Sequence, residues 1–250
     1  MILFHVWVSS TPPLLSFSFD LTYTDICAWQ NKLACHGHIY LGEHQGWYAV
    51  SDEAFYPESQ ICATKQQSGS SSETVYTSIE TGQRVEWTTE TNYKFRLSAF
   101  QQPLLDWLEN NREVIQPSNM YDHVLAEVRS GLQDLSISRL RSRLSWGIPV
   151  PGDPQHTMYV WMDALVNYMT ALGYPDMQPG WPADVHIVGK DIVRFHAIYW
   201  PAFLMAAGLP LPRTIVAHSH WTVNKAKMSK SKGNAINPFQ ALHTYGVDTM

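Results

Sequence analysis

The chain has 250 residues, of which 45% are hydrophobic and 16% are charged. It contains 17 Lys and Arg against 22 Asp and Glu, so its formal net charge is −5 at pH 7. This length and apolar content fit one large or two modest globular domains and exclude wholesale disorder. The acidic balance excludes a uniformly basic nucleic-acid-binding protein, although a local basic patch is compatible with it.

The first 26 residues differ in character from the rest of the chain. They are apolar and rich in Ser and Thr, they contain Pro12-Pro13, and no Lys or Arg precedes Lys32. A secretory signal requires a basic start and an unbroken apolar core, and a mitochondrial leader requires Arg. A membrane span requires about 20 apolar residues. Residues 1–26 meet none of these requirements, because they contain no Lys or Arg and because Pro12-Pro13 interrupts their apolar run. They are therefore expected to be an atypical, unstructured segment.

Short strands and helices are predicted in the following stretch, which ends near residue 150. In chain order they are strands within 37–53 and at 93–97, and helices at 103–110 and about 120–131. Residues 66–74 contain Gly and four Ser and predict a polar loop. The Gly- and Pro-rich stretch at 146–152 predicts a domain boundary.

Strands and helices alternate beyond that boundary. The predicted strands lie at 157–162, 185–188 and 214–217, and the predicted helices at 163–172, 190–207 and 238–245. Asp163 is expected to cap the first of these helices, and Pro201 is expected to kink or divide the second. This alternation predicts an α/β fold with a largely parallel sheet.

A lysine-rich loop near the carboxyl end carries the strongest chemical signal. Lys227-Met228-Ser229-Lys230-Ser231 is followed by Lys232 and Gly233. Ammonium groups neutralise phosphate as mobile point charges, and glycine lets such a loop bend over an anion. A generic cluster of lysines would instead be a solvated turn.

Two residues at the start of the 190–207 helix also suggest a ligand. Gly189 and Asp191 follow a strand, where backbone N–H groups attract anions and a carboxylate can accept hydrogen bonds from sugar hydroxyls. Asp191 could equally serve only as a helix cap.

Two stripes of side chains predict a slot between helices. Ile192, His196 and Trp200 recur every fourth residue, so they share one face of their helix. The preceding strand-to-helix junction carries a similar stripe, made of Trp161, Ala164 and Tyr168. If the stripes face each other, they form a narrow aromatic slot that suits an unbranched thioether, since sulfur packs well against ring edges.

These segments together resemble the methionyl-tRNA synthetase family of class I aminoacyl-tRNA synthetases. The resemblance rests on residues 160–168, 181–203 and 220–234, the last of which contains a pentapeptide similar to the family's KMSKS signature. It implies the second half of a Rossmann-like catalytic domain at 151–250 and the family's α+β connective domain, inserted into that fold, at 27–150. It also implies an ATP-dependent ligase that converts methionine to methionyl-adenylate and transfers it to tRNA(Met).

The resemblance assigns roles to individual residues. The methionine pocket would be lined by Trp161, Ala164, Tyr168, Ile192, His196 and Trp200. ATP, with Mg²⁺, would be bound by Gly189, Asp191, Lys227, Met228, Ser229, Lys230 and Ser231. Among these, Lys227 and Lys230 would be the catalytic residues, because they would act on the phosphates.

No zinc site is expected. Many relatives hold zinc with paired cysteines in the inserted domain, but the matching stretch here, 52–92, contains only Cys62. The mitochondrial type of the family lacks this zinc, and it is the branch that the sequence resembles. This implies the mitochondrial matrix, with the cytoplasm as the alternative because no leader is visible.

The family's His-x-Gly-His half-site and its anticodon-binding domain are not recognised in the chain. His36-Gly37-His38 has the same letters in another order and is expected to be structural. The chain on its own is therefore expected to be inactive. It could be part of a methionine–tRNA ligase, a truncated non-catalytic isoform or pseudogene product that acts at most as a binding module, or a related synthetase for another amino acid. The aromatic stripes argue against the last of these.

Partners other than methionine, ATP and tRNA(Met) are not indicated. The pattern predicts no membrane partner and no particular oligomeric state. The basic residues Arg139, Arg141 and Arg143 fit either a phosphate contact with tRNA or a solvated face.

Overall fold

The computed structural model describes residues 6–7, 19–51, 54–56, 58–68, 71–79, 81–176, 180–220, 222–223, 226–228 and 235–249. The helices are α1 (Phe19–Cys35), α2 (Gln101–Asn110), α3 (Ser118–Arg129), α4 (Val160–Thr170), α5 (Trp200–Ala207) and α6 (Pro238–Tyr245). The strands are β1 (Val6–Trp7), β2 (Ile39–Ala49), β3 (Ala54–Tyr56), β4 (Ile61–Ser68), β5 (Ser71–Ser78), β6 (Glu86–Phe95), β7 (Ile115–Gln116), β8 (Leu135–Ser136), β9 (Ser138–Leu140), β10 (Pro149–Val150), β11 (Asp153–Met158), β12 (Val185–Gly189), β13 (Ile215–His218), β14 (Thr222–Val223) and β15 (Ala226–Lys227).

The central sheet has the strand order β1-β12-β13-β7. β12 pairs in parallel with β13, and β13 pairs in parallel with β7, whereas β1 is antiparallel to β12. Parallel neighbours need a long crossover, and the helical segment between β12 and β13 supplies it. The predicted α/β fold is thereby confirmed.

That crossover is one continuous but irregular helical segment. It starts with a 3₁₀ turn at Lys190–Ile192, passes through a π-helical turn at Phe195–Tyr199 and continues as α5. Pro201 lies in the first turn of α5, and the irregular π-helical turn comes directly before it, so the helix is not divided at Pro201. Gly208 then ends α5 in the left-handed conformation, with φ of 66°, which a residue without a Cβ adopts at least cost.

One hydrophobic core joins segments from both predicted domains. Trp29 and Leu33 of α1 are fully buried, and α1 packs against α4 and α5. α1 begins at Phe19, inside the segment expected to be unstructured, and β7 joins the central sheet from within the range expected to form the inserted domain. The domain limits at residues 26 and 150 stay a prediction.

A long antiparallel pair supports the inserted region. β2 pairs with β6 from Ile39–Phe95 to Tyr48–Glu86, and β3 and β8 extend the sheet at its two edges. Of the predicted strand at 93–97, residues 93–95 are the end of β6, and a 3₁₀ turn begins at Leu97. The prediction of a loop over 66–74 was wrong, because β4 and β5 form a hairpin there, and their Thr and Val residues favour extended backbone.

The predicted bounds of α6 were correct, whereas the predicted cap of α4 was not. The Asn237 side chain accepts hydrogen bonds from the backbone N–H groups of Phe239 and Gln240, and α6 spans the predicted residues Pro238–Tyr245. Asp163 was wrongly predicted to cap α4. The helix starts three residues earlier, with Tyr159 at the cap, and Asp163 lies in its first turn.

Among the described helices, none has the length and apolar character that crossing a membrane demands.

Candidate active site

The two predicted stripes meet through a buried hydrogen bond. Tyr168 of α4 and His196 of the π-helical turn are both buried, and the Tyr168 hydroxyl lies 2.8 Å from His196 Nε2. The other ring nitrogen of His196, Nδ1, lies 2.9 Å from the backbone carbonyl oxygen of Ile192. Because that carbonyl can only accept, Nδ1 carries the proton, Nε2 of the neutral ring accepts, and the Tyr168 hydroxyl donates.

Burial keeps both groups of this pair uncharged. It lowers the pKa of His196 to about 4, although the hydrogen bond to Ile192 acts in the opposite direction. Burial also raises the pKa of the Tyr168 hydroxyl. At neutral pH the slot therefore presents a neutral phenol and a neutral imidazole, which suits an uncharged side chain.

Aromatic rings surround the pair. The Tyr168 and Trp200 ring centroids are 5.9 Å apart, and the Trp161 ring stacks on Phe195 at 3.6 Å with 15° between the planes. Ala164 lies half-buried on the face of α4 that carries Tyr168, one turn before it. The structure thus places the six predicted pocket residues on two adjacent helical segments and brings Tyr168, Ile192, His196 and Trp200 into contact.

Four residues of this region were not predicted from the sequence: Trp29, Trp181, His186 and Phe195. Trp29 stacks on Trp200 with 5.7 Å between centroids, and Trp181 meets Trp200 edge-on at 5.8 Å. Trp29 comes from α1, far away in the sequence, so no local pattern could have identified it. Phe195 precedes His196 directly and is off the stripe of every fourth residue.

His186 of β12 is the most unusual member of the group. It is fully buried, its ring lies 4.6 Å from that of Tyr168, and within the described part of the chain neither ring nitrogen has a hydrogen-bond partner. Burial, together with the neighbouring His196, lowers its pKa to about 3. His186 is therefore a neutral ring that closes the slot beside Tyr168.

A second group of residues lies where β12 and β13 end. Parallel strands that end side by side form the crevice in which α/β proteins bind ligands. Gly189 ends β12 and pairs with His218 of β13, and two residues beyond each lie Asp191 and His220. His220 Nε2 lies 2.7 Å from Asp191 Oδ2. The predicted ribose residues Gly189 and Asp191 therefore lie together, with a histidine that the sequence did not indicate.

The lysine-rich loop follows this group. β14 and β15 form a short hairpin in which the backbone of Lys227 pairs with that of Thr222. Met228 Sδ accepts a hydrogen bond from the backbone N–H of Ile236 at 3.2 Å. Ser229, Lys230 and Ser231 lie outside the described residues, so their predicted phosphate contacts stay a prediction.

A shallow cleft opens next to Asp191. It has a volume of about 410 Å³ and is lined by Met120, His123, Val124, Glu127, Lys190, Asp191, Val193 and Arg194. None of the aromatic slot residues lines it.

In the part of the chain that the structure describes, no three His, Cys, Asp or Glu side chains lie close enough together to bind a metal ion. The expected lack of a zinc site stays a prediction.

Comparisons with known proteins show the family to which the chain belongs. Residues 26–250 match the family model described as tRNA synthetases class I (M). A probable mitochondrial methionine–tRNA ligase of Schizosaccharomyces pombe is 54% identical over 225 residues, which are 86% of this chain and 40% of that protein. The human mitochondrial methionine–tRNA ligase is 51% identical over 218 residues, which are 86% of this chain and 36% of that protein.

Solved structures show the same relationship. The structure of Mycobacterium tuberculosis methionyl-tRNA synthetase in complex with methionyl-adenylate is similar with a TM-score of 0.79 and 42% identity, and the match covers 96% of this chain and 46% of that one. The free form of the same enzyme is similar with a TM-score of 0.77 and 38% identity, over 96% of this chain and 45% of that one. The chain thus spans less than half the length of these relatives.

Proposed function

The chain belongs to the class I tRNA synthetases (M), and on that premise we propose that it takes part in joining methionine to tRNA(Met). In this reaction a methionine carboxylate oxygen attacks the α-phosphorus of ATP, and the bond from that phosphorus to the leaving pyrophosphate breaks. The methionyl-adenylate then transfers its acyl group to a hydroxyl of the tRNA and releases AMP. One relative in the comparisons is a synthetase in complex with methionyl-adenylate, the intermediate of this reaction.

The observation that carries the proposal is the buried Tyr168–His196 hydrogen bond inside the aromatic slot. The methionine side chain is unbranched, uncharged and polarisable, and its sulfur is a weak hydrogen-bond acceptor that packs well against aromatic rings. A slot lined by Trp161, Ala164, Tyr168, Ile192, His196 and Trp200 matches each of these properties. A charged amino acid would lose its hydration there without gaining a counter-charge.

The end of the central sheet would bind ATP. Gly189 and Asp191 would face the ribose, and the Asp191 carboxylate would accept hydrogen bonds from the ribose hydroxyls. The loop of Lys227, Met228, Ser229, Lys230 and Ser231 would close over the phosphates, with Mg²⁺ arriving on ATP as part of the substrate. Lys227 and Lys230 would neutralise the charge that develops on the leaving pyrophosphate.

Mitochondria are the proposed site of action. The S. pombe relative, at 54% identity, is a probable mitochondrial methionine–tRNA ligase, and the human relative, at 51% identity, is a mitochondrial methionine–tRNA ligase. The proposal includes tRNA(Met) as partner, with ATP and methionine as substrates.

A methionine-dependent exchange of pyrophosphate into ATP tests the proposal. We would assay the 250-residue chain itself and a chimera in which residues 26–250 replace the aligned segment of the S. pombe relative. Exchange by the chimera that depends on methionine, and that isoleucine, valine and leucine do not support, is expected. A folded chimera that fails to exchange, or that prefers another amino acid, would overturn the proposal. The intact S. pombe enzyme serves as the positive control.

A further inference from the structure

His220 occupies a position from which it can direct the neighbouring carboxylate. It follows the carboxyl end of β13 by two residues, and Asp191 follows that of β12 by two residues. The Nε2-to-Oδ2 distance of 2.7 Å is that of a short charge-assisted hydrogen bond. The His220 side chain is 21% exposed, whereas the Asp191 side chain is 48% exposed and borders the open cleft. The imidazole is therefore the less exposed of the two groups, and the carboxylate is the one that borders the cleft.

Gly189 makes this arrangement possible by leaving space for the imidazole. Its φ of −66° is open to any residue, so backbone conformation does not require glycine here. A Cβ at this position would meet His220 Cε1 at 3.2 Å and His218 Cε1 at 3.9 Å. His218 directs Nδ1 to the backbone carbonyl of Ser219, at 3.0 Å, and not to Asp191. The glycine thus lets the His220 ring pack against the end of β12 and reach Asp191.

We propose that His220 is a positioning residue for ATP, which holds the Asp191 carboxylate in the orientation that accepts hydrogen bonds from the ribose hydroxyls. The inference rests on the proposed function, because it assigns ATP to this end of the sheet. A carboxylate accepts several hydrogen bonds at once, so the bond from His220 is compatible with bonds from a sugar. The hydrogen bond from His220 fixes one oxygen of the Asp191 carboxylate and so restricts the rotation of that side chain. ATP binding then costs less conformational entropy, because the carboxylate is already in place. His220 acts through Asp191 and belongs to the nucleotide side, not to the methionine slot.

The test compares three substitutions of His220 in the chimera. His220→Phe keeps a ring but removes the donor, His220→Gln keeps an N–H donor of similar reach, and His220→Asn keeps the polarity but shortens the reach. Losing one hydrogen bond to a charged group typically weakens binding about 10-fold or more. We expect His220→Phe and His220→Asn to raise KM for ATP about 10-fold, with KM for methionine within about two-fold of the parent. His220→Gln is expected to restore most of the ATP affinity.

A double-mutant cycle with Asp191→Asn separates positioning from a general structural role. If His220 acts through Asp191, the double variant should bind ATP no more weakly than Asp191→Asn alone. His243→Phe, on the exposed surface of α6, is the matched control and should leave both KM values unchanged. Thermal unfolding checks that each variant is folded. If His220→Phe does not fold, His220→Asn takes its place in the comparison.

Three results would overturn the inference: an unchanged KM for ATP, an equal rise in both KM values, or additive effects of the His220 and Asp191 substitutions. These results are distinguishable from failure of the proposed function, which the unsubstituted chimera reports directly. A parent chimera that exchanges with methionine, combined with any of the three results, leaves the ligase proposal standing and rejects the role of His220.

Discussion

The aromatic slot and the inserted region bury polar side chains in opposite ways. In the slot, His186 and His196 are fully buried and neutral, with pKa values lowered to about 3 and about 4 mainly by burial. In the inserted region, the buried Glu90 carboxyl pairs with two Arg side chains, at 3.3 Å from Arg143 Nε and 4.0 Å from Arg139 Nε. The slot thus excludes charge, whereas the inserted region accommodates charge by pairing it.

The basic run of the inserted region shows how this pairing works. Arg139 is buried, donates to Ser136 Oγ and to the carbonyl of Ser138, and lies over the Tyr159 ring at 4.6 Å. Arg143 lies over the Tyr48 ring at 5.2 Å. The interpretation of this run as a solvated face is therefore wrong for Arg139. What separates the two regions is the supply of counter-charges and hydrogen-bond acceptors, not the depth of burial.

The largest effect is expected when the buried ion pairs lose their carboxylate. Glu90→Gln leaves Arg139 buried without its counter-charge, and breaking a buried pair in this way costs about 3–5 kcal/mol of unfolding free energy. Urea denaturation of the chimera measures this value. A loss below about 1 kcal/mol would show that Arg139 relies on Ser136, Ser138 and the neighbouring rings rather than on Glu90.

The neutral state of His186 predicts a pH dependence of stability. Its folded pKa of about 3 lies below the ordinary value of 6.5, so the unfolded chain takes up the proton first. The contribution of the neutral His186 ring to the unfolding free energy is fully present above pH 6.5 and is lost as the pH falls toward 3. Between pH 7 and pH 5 the loss is about 2 kcal/mol. His44 and His196, with pKa values lowered to about 4, add losses in the same direction.

The variant His186→Leu isolates this contribution. Its loss of unfolding free energy between pH 7 and pH 5 should be about 2 kcal/mol smaller than that of the parent, because one fewer buried imidazole must stay neutral. The exposed His123→Leu should follow the parent curve. Parallel curves for His186→Leu and the parent would mean that His186 is charged or solvated in the folded protein.

A smaller effect is expected for the hydrogen bond of the slot. Tyr168→Phe removes the donor to His196 Nε2 and leaves that nitrogen buried without its partner, which costs about 1–2 kcal/mol of stability. KM for methionine should rise while KM for ATP stays within two-fold. Tyr245→Phe, where the ring is 64% exposed, is the control. Equal changes in both KM values would contradict a specific role in the methionine slot.

The smallest effect is expected for an ion pair at the surface. Arg213 Nη1 lies 2.6 Å from Asp184 Oδ1, but the two side chains are 68% and 44% exposed. Water screens such a pair, so Arg213→Gln should change the unfolding free energy by less than about 1 kcal/mol. A loss as large as that of Glu90→Gln would remove the distinction between buried and exposed charge on which the comparison depends.

Local sequence signals predicted the elements whose causes are local. The resemblance to the methionyl-tRNA synthetase family and the α/β fold are both confirmed, and α6 spans the predicted residues Pro238–Tyr245. The spacing of four residues placed Tyr168, His196 and Trp200 on facing stripes, since helical periodicity depends only on the backbone. The hairpin at 61–78 was missed, because Gly and Ser suggest a loop whereas pairing with a second strand decides the conformation.

What the sequence by itself determined is the family, the fold class and the residue types available for chemistry, because these depend on motifs and on hydrophobic spacing along the chain. Tertiary structure alone decided which side chains meet. Trp29 reaches Trp200 across 171 positions, and His220 reaches Asp191 only because β12 and β13 end side by side and Gly189 leaves room. It also decided which groups are charged, because protonation depends on desolvation and on neighbours that packing brings together.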